Sequence, residues 1–202
     1  MPTPYERLGL RTFINARGTI TTLGGSIMPD EVVQAMVEAS RNFVHLNELH
    51  EKAGARIAEL TSAEGAFISA GAASGLLLAG AACLTGTDAQ AIANLPNIGD
   101  RPNEFVISLV DSHYYVHQGF CVAGGTLRKI GSKDAVTLEN YVEAIGPKTA
   151  AVVYFLGSQP IEDLPAIVAA AHAQDVPVIV DAAAQLPPRS NLIDLPAMRC
   201  DM

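Results

Sequence analysis

Val176-Pro177-Val178-Ile179-Val180-Asp181 is a short apolar run that stops at a carboxylate. A strand with one wet face alternates apolar and polar residues. Here nearly every position is apolar, as in a parallel sheet covered on both sides. Short β-rich runs recur upstream, at Ala150–Leu156, which is continuously apolar, Thr126–Ile130, Phe105–Leu109 and Ala66–Ser69. Helical stretches separate them, over Ala72–Leu84, about Tyr114–Ala123, Thr137–Ile145 and the Ala-rich Leu164–Gln174. Strands and helices in alternation predict an α/β fold of three layers, with helices on both faces of a mostly parallel sheet.

Upstream of residue 63 the pattern differs. Thr12–Met28 is rich in Gly, Thr and Asn and reads as an extended arm. Two helices follow, Asp30 to about Phe43, with Asp30 as cap, and about Leu46 to Thr61. Residues 1–62 therefore form an N-terminal arm with helices, and 63–202 a separate α/β region. Asp88–Asn103, ending in LPNIGDRP, reads as a surface loop.

Composition narrows the function. Hydrophobic residues make up 49% and charged ones 17%, the reverse of a disordered chain. A net charge of −8 without a basic stripe argues against a phosphate-backbone binder, yet allows a local anion pocket built from amides. Cys83, Cys121 and Cys200 are far apart and odd in number, which points to a reducing cytoplasm rather than a disulfide framework. Met1–Leu10 has no apolar stretch of the signal-peptide kind. Gly65–Leu84 is uncharged and long enough for a membrane span. Its Gly, Ala and Ser content fits a buried strand, a turn and a buried helix better.

Three features carry candidate chemistry. Ser69-Ala-Gly-Ala-Ala-Ser-Gly75 follows a strand and opens a helix, so small residues and unpaired amides suit an anion such as phosphate. Close packing of helix on sheet favours the same residues, and the stretch alone does not choose. Asp181 ends its strand at the carboxyl edge, where open α/β sheets bind ligands, and a carboxylate there calls for a cationic partner. Ala182, Ala183 and Ala184 leave room beside it for a flat ring. His113, after Val110-Asp111-Ser112, stands at the same edge and can stack on such a ring. His113 and His117 have helical spacing for a metal, but no HExxH-type glutamate accompanies them, and surface or stacking roles are preferred. Neither GxGxxG after the first strand nor GxxxxGK[ST] occurs.

Phosphate loop, stacking residue and strand-end carboxylate come in the order of one cofactor pocket. With Phe13-Ile-Asn-Ala-Arg-Gly-Thr19, Ala63-Glu-Gly-Ala66, Ala82-Cys-Leu-Thr-Gly-Thr-Asp88, His113-Tyr-Tyr115 and Val180-Asp-Ala-Ala-Ala-Gln-Leu-Pro-Pro188, the chain resembles fold-type I pyridoxal-phosphate enzymes. Within them it is most similar to the selenocysteine synthase and D-glucosaminate-6-phosphate ammonia-lyase group. The resemblance implies pyridoxal 5′-phosphate as cofactor. Amides of Gly71, Ala72 and Ala73, helped by Ser74, would hold its phosphate. His113, or alternatively Tyr115, would stack on the ring; Asp181 would pair with the pyridinium nitrogen; Gln185 would reach the phenolic oxygen. Many class V relatives carry that glutamine three residues after the aspartate, where this chain has Ala184. Arg17 would bind a substrate carboxylate or phosphate, or is an exposed arginine on the arm.

The family's cofactor-binding lysine, which also carries protons, follows a strand that here begins at Cys200-Asp201-Met202. Lys52, Lys129, Lys133 and Lys148 all precede Asp181 and do not match it. Residues 63–202 thus read as an incomplete cofactor-binding large domain, truncated before its last strands. Phe67–Ser69 would lack its neighbour in the sheet, and apolar surface would be exposed. The expectation is the N-terminal portion of a pyridoxal-phosphate lyase or transferase, inactive alone and a homo-oligomer when full length. Its reaction would remove the Cα proton of an amino acid or phosphorylated amino-sugar acid, then eliminate or replace a neighbouring group. Charge disfavours tRNA as partner, and nothing indicates a membrane. The alternatives are a class V-type aminotransferase or desulfurase, or a non-catalytic truncated fragment.

Overall fold

A computed structural model describes residues 2–202. The chain forms two compact units, one ending at His45 and one over Leu46–Met202. In the first, helix α1 (Pro4–Arg7) carries a capping box: Thr3 Oγ1 accepts from the Glu6 amide, and the Glu6 carboxylate from the Thr3 amide. Helix α2 (Asp30–Ala39) follows Pro29, and Asp30 lies in its first turn instead of capping it. The helix ends at Ala39, short of Phe43. The Ser40 hydroxyl donates to the Val37 carbonyl and Asn42 Nδ2 to that of Glu38, which satisfies carbonyls of the last turn.

The second unit opens with α3 (Leu46–Thr61), α4 (Ala72–Thr85) and α5 (Ala89–Asn94). Four strands then alternate with helices: β1 (Glu104–Ser108), α6 (Tyr114–Val122), β2 (Thr126–Ile130), α7 (Leu138–Ala144), β3 (Thr149–Phe155), α8 (Leu164–His172), β4 (Val178–Asp181) and α9 (Asn191–Ala197). All pairings are parallel, in the order β2-β1-β3-β4. Inner strand β3 is buried at every position, which is why its sequence is apolar throughout. At the edge, β2 exposes Arg128 and Lys129, charges that discourage further pairing.

Successive side chains of each strand enter opposite cores. On one face Val106, Val152, Tyr154 and Val178 meet Tyr141 of α7 and Leu164, Ile167 and Ala171 of α8. On the other Phe105, Ile107, Val153 and Ile179 meet Leu76 of α4 and Val116 and Phe120 of α6. The Phe105 and Phe120 rings lie 4.8 Å apart, and Gly80 lets α4 approach them. Burying each ring contributes roughly 1.5–3 kcal/mol. The three-layer α/β arrangement expected from the sequence is therefore present.

Two expectations are corrected. Ala66–Ser69 forms no strand: it has no ladder among the described residues, and Phe67 and Ile68 are 71% and 42% exposed. An apolar run becomes a strand only where a partner supplies hydrogen bonds. It lies against α3, where the Phe67 ring is 4.6 Å from that of His50 and a Cβ on Gly54 would come 2.4 Å from the Ala66 carbonyl oxygen. The surface loop Asp88–Asn103 contains α5, which Asp88 caps by accepting from the amides of Gln90 and Ala91 at 2.9 and 3.2 Å.

Beyond β4, the Asp201 and Met202 amides donate to the Val178 carbonyl, and the Val180 amide donates to that of Met202 at 2.8 Å. This is the pattern of a parallel ladder, at the residues where the sequence suggests a strand begins. The Asp201 carboxylate adds a bond from the Val178 amide and one with His172, each 2.8 Å.

Candidate functional site

Parallel strands bring their carboxyl ends to one edge, and the loops that follow them meet there. Asp181 ends β4 in register with Phe155. The carboxylate is partly buried; Oδ1 accepts from the Ala183 amide at 3.0 Å, and Oδ2 has no hydrogen bond among the described residues. Beside it opens a cleft of about 640 Å³, whose walls include Phe67, Ser69, Ala72, Gly75, Ala182 and Ala183. Leu76, Leu78, Ile179 and Met202 line it as well, so the slot is largely apolar, with Asp181 and Asp201 as the two acidic residues on its walls.

Helix α4 begins at this cleft. Gly71 has φ +145° and ψ 172°, a conformation essentially restricted to glycine. Its carbonyl accepts from the hydroxyls of Ser69 and Ser74 at 2.9 and 2.8 Å, and from the Gly75 amide at 2.9 Å. The amides of Ala72, Ala73 and Ser74 precede that first helical bond, so they are donors without helical partners. Ser74 turns its hydroxyl back onto the helix start. Its amide, rather than its side chain, is the group it offers outward.

A third group lies after β1. Asp111, 1% exposed, is the acceptor in four hydrogen bonds. The His113 amide reaches Oδ2 at 2.9 Å and His113 Nδ1 reaches Oδ1 at 2.8 Å; His117 Nε2 lies 3.0 Å from Oδ2, and Ser158 Oγ 3.1 Å from Oδ1. Burial alone would raise the pKa of this carboxyl. Bonds from His113, His117 and Ser158 outweigh it and hold the pKa below the ordinary aspartate value. His117 is pushed down, chiefly by burial against the opposing pull of Asp111. Its Nδ1 is buried without a partner, while its ring lies 5.3 Å from that of Phe155.

No family model matches the chain. Over 193 residues it is 34% identical to 5'-C-glycyluridine monooxygenase-decarboxylase of Streptomyces sp, covering 90% of this chain and 48% of that protein. Over 191 residues it is 34% identical to D-glucosaminate-6-phosphate ammonia lyase of Salmonella typhimurium, covering 91% and 52%. The L-seryl-tRNA(Sec) selenium transferase of Desulfomicrobium baculatum is 27% identical over 179 residues, 81% of this chain and 37% of that one. A solved structure of D-glucosaminate-6-phosphate ammonia-lyase superposes with TM-score 0.88 at 32% identity, covering 99% of this chain and 55% of that chain. The chain has the fold of D-glucosaminate-6-phosphate ammonia-lyase. The resemblance read from the motifs is thereby borne out, selenium transferases included. The chain spans about half the length of the curated relatives it matches.

Within this ammonia-lyase fold, Asp181 and Ala72 line one cleft. Gly71, Ala73 and Ser74 adjoin it at the start of α4, and His113 stands at the same sheet edge after β1. Gln185 lies in the loop after β4, its amide nitrogen beside Gly157, where a Cβ would be 3.1 Å away. Arg17 belongs to the unit that ends at His45, is exposed, and donates its backbone amide to Asn15 Oδ1. His113 and His117 converge on Asp111, and among the described residues no group of three or more His, Cys, Asp or Glu could hold a metal. Lys129 lies in β2, Lys133 just after it, Lys148 before β3 and Lys52 in α3; none lines the cleft. Asp111 and Ser158 were not candidates from sequence. The signal for Asp111 was an acidic residue two places before a strand-end histidine, the spacing at which an aspartate bonds the backbone ahead of it.

The donor set can be tested against pyridoxal phosphate. Unpaired amides at the start of α4 suit a phosphate, the free oxygen of Asp181 suits a protonated ring nitrogen, and the alanine-walled slot suits a flat ring. These residues fit the cofactor's non-covalent contacts. They include no lysine for its covalent one.

Proposed function

We propose that the cleft between α4 and β4 is the pyridoxal 5′-phosphate site of a lyase or transferase, of which these residues are the N-terminal portion. One observation carries this reading: a carboxylate with an unengaged oxygen and a helix start with unengaged amides border the same apolar slot. When bound, the cofactor supplies an electron sink for a developing carbanion. Amides of Gly71, Ala72, Ala73 and Ser74 bind its phosphate, and the helix start adds favourable charge. Asp181 Oδ2 accepts from the pyridinium N–H and keeps that nitrogen protonated. His113 covers the ring and Gln185 orients its phenolic oxygen. The covalent lysine is supplied by residues beyond those present here, so this chain alone binds but does not turn over.

The likeness to a D-glucosaminate-6-phosphate ammonia lyase supports a phosphorylated amino-sugar acid or an amino acid as substrate, and the reaction we propose removes its Cα proton and then a neighbouring group. The assembly is a cytoplasmic homo-oligomer, and the net charge of −8 disfavours tRNA as substrate. A second reading has equal identity in its favour, oxidative decarboxylation as named for the Streptomyces protein. Oxygen uptake by the full-length enzyme separates it from ammonia release. Titration of the present chain with pyridoxal phosphate tests the site itself. Saturable binding is expected, weakened about tenfold or more by Asp181→Ala, since hydrogen bonds to charged groups are worth roughly 1.5–3 kcal/mol. Absence of saturable binding, or binding that ignores Asp181→Ala, overturns the reading.

A further inference from the structure

We infer that Asp111 is a positioning residue, fixing the tautomer and plane of the His113 ring from beneath while His117 and Ser158 anchor it from α6 and from the loop after β3. The inference rests on the proposal that His113 faces the cofactor.

An ionised carboxylate only accepts, with about four lone-pair sites. All four donors that Asp111 meets are protein groups: the His113 amide and Nδ1, His117 Nε2 and Ser158 Oγ. Each imidazole nitrogen facing it must therefore carry its proton. That sets His113 as Nδ1–H, leaving Nε2 as the outward atom. Because the His113 amide and ring bond the same carboxylate, the backbone and the side-chain torsions are fixed together. A bare packing role does not account for this arrangement, since a buried carboxylate is costly where an apolar residue would serve. His117 and Asp111 are both sealed from solvent, whereas the His113 side chain is 58% exposed. The constraint built up in the core is thus delivered to the ring at the sheet edge. Ser158 ties the loop after β3, next to Gly157 and hence Gln185, to the same carboxylate.

Imidazole 15N correlation spectra and pyridoxal phosphate titration, on the unaltered chain and on variants, test this. Above about pH 8, where ordinary histidine is neutral, the unaltered chain is expected to show His113 protonated on Nδ1. Asp111→Asn is expected to give mixed tautomers and about tenfold weaker binding of pyridoxal phosphate. In a His113→Phe background the same substitution should change affinity no further. An Nε2–H or mixed His113 ring in the unaltered chain overturns the inference without any variant being needed. So does an Asp111→Asn loss that persists at full size beside His113→Phe. If the unaltered chain fails to bind pyridoxal phosphate at all, the cofactor reading falls, and the tautomer spectrum reports separately on whether Asp111 fixes the ring.

Discussion

His117 shows how a buried neutral histidine makes stability depend on pH. Its folded pKa lies below the ordinary value because burial disfavours the cation. Between the folded pKa and the unfolded value near 6.5, the unfolded chain binds more protons than the folded one. Stability is therefore full above about pH 6.5 and falls as pH drops through that window. Asp111, also lowered, adds a second loss at more acid pH, below the ordinary carboxylate range. Melting temperature measured from pH 8 to 5 should decline below about 6.5. His117→Gln should flatten that decline; an equally steep one would contradict the assignment. Asp181, His113 and the glycine of the α4 start were legible in sequence because each is a distinctive residue just after an apolar run. Asp111 was not, since its partner Ser158 is 47 residues away and only the parallel sheet brings the two loops together.

Among the elements, β2 appears over the residues expected, Thr126–Ile130, and β1, β3 and β4 shift by one or two residues. Apolar runs report burial, and in a parallel sheet burial and strand coincide. Ala66–Ser69 shares the pattern without the structure, because a ladder depends on what lies alongside. Helix α5 was hidden by the prolines and glycine that follow it, although Asp88 supplied a cap signal. The start of α4 depends on backbone geometry more than on any side chain. A Cβ on Gly71 would meet no atom within 4 Å, so Gly71→Ala tests conformation alone. It should lower stability by about 1–3 kcal/mol in denaturant unfolding, the usual range for a residue held in glycine-only backbone space. An unchanged midpoint would mean the α4 turn relaxes freely and is not the rigid anion cradle proposed.

For the molecule as a whole, the sheet domain accounts for the position of every proposed cofactor contact, and the cleft collects the decisive ones on β4 and α4. No helix among the described residues is long and apolar enough to cross a membrane. Phe67, Leu78 and Met202 leave apolar surface on the cleft walls at 71%, 43% and 44% exposure. This is surface that the neighbouring strands expected from the family resemblance would cover. The most direct measurement is a backbone 1H–15N map of the chain titrated with pyridoxal 5′-phosphate. The predicted result is saturable shifts concentrated at Gly71–Ser74, His113 and Asp181–Ala183. Shifts that fall elsewhere, or none at all, would contradict the claim that this cleft holds the cofactor.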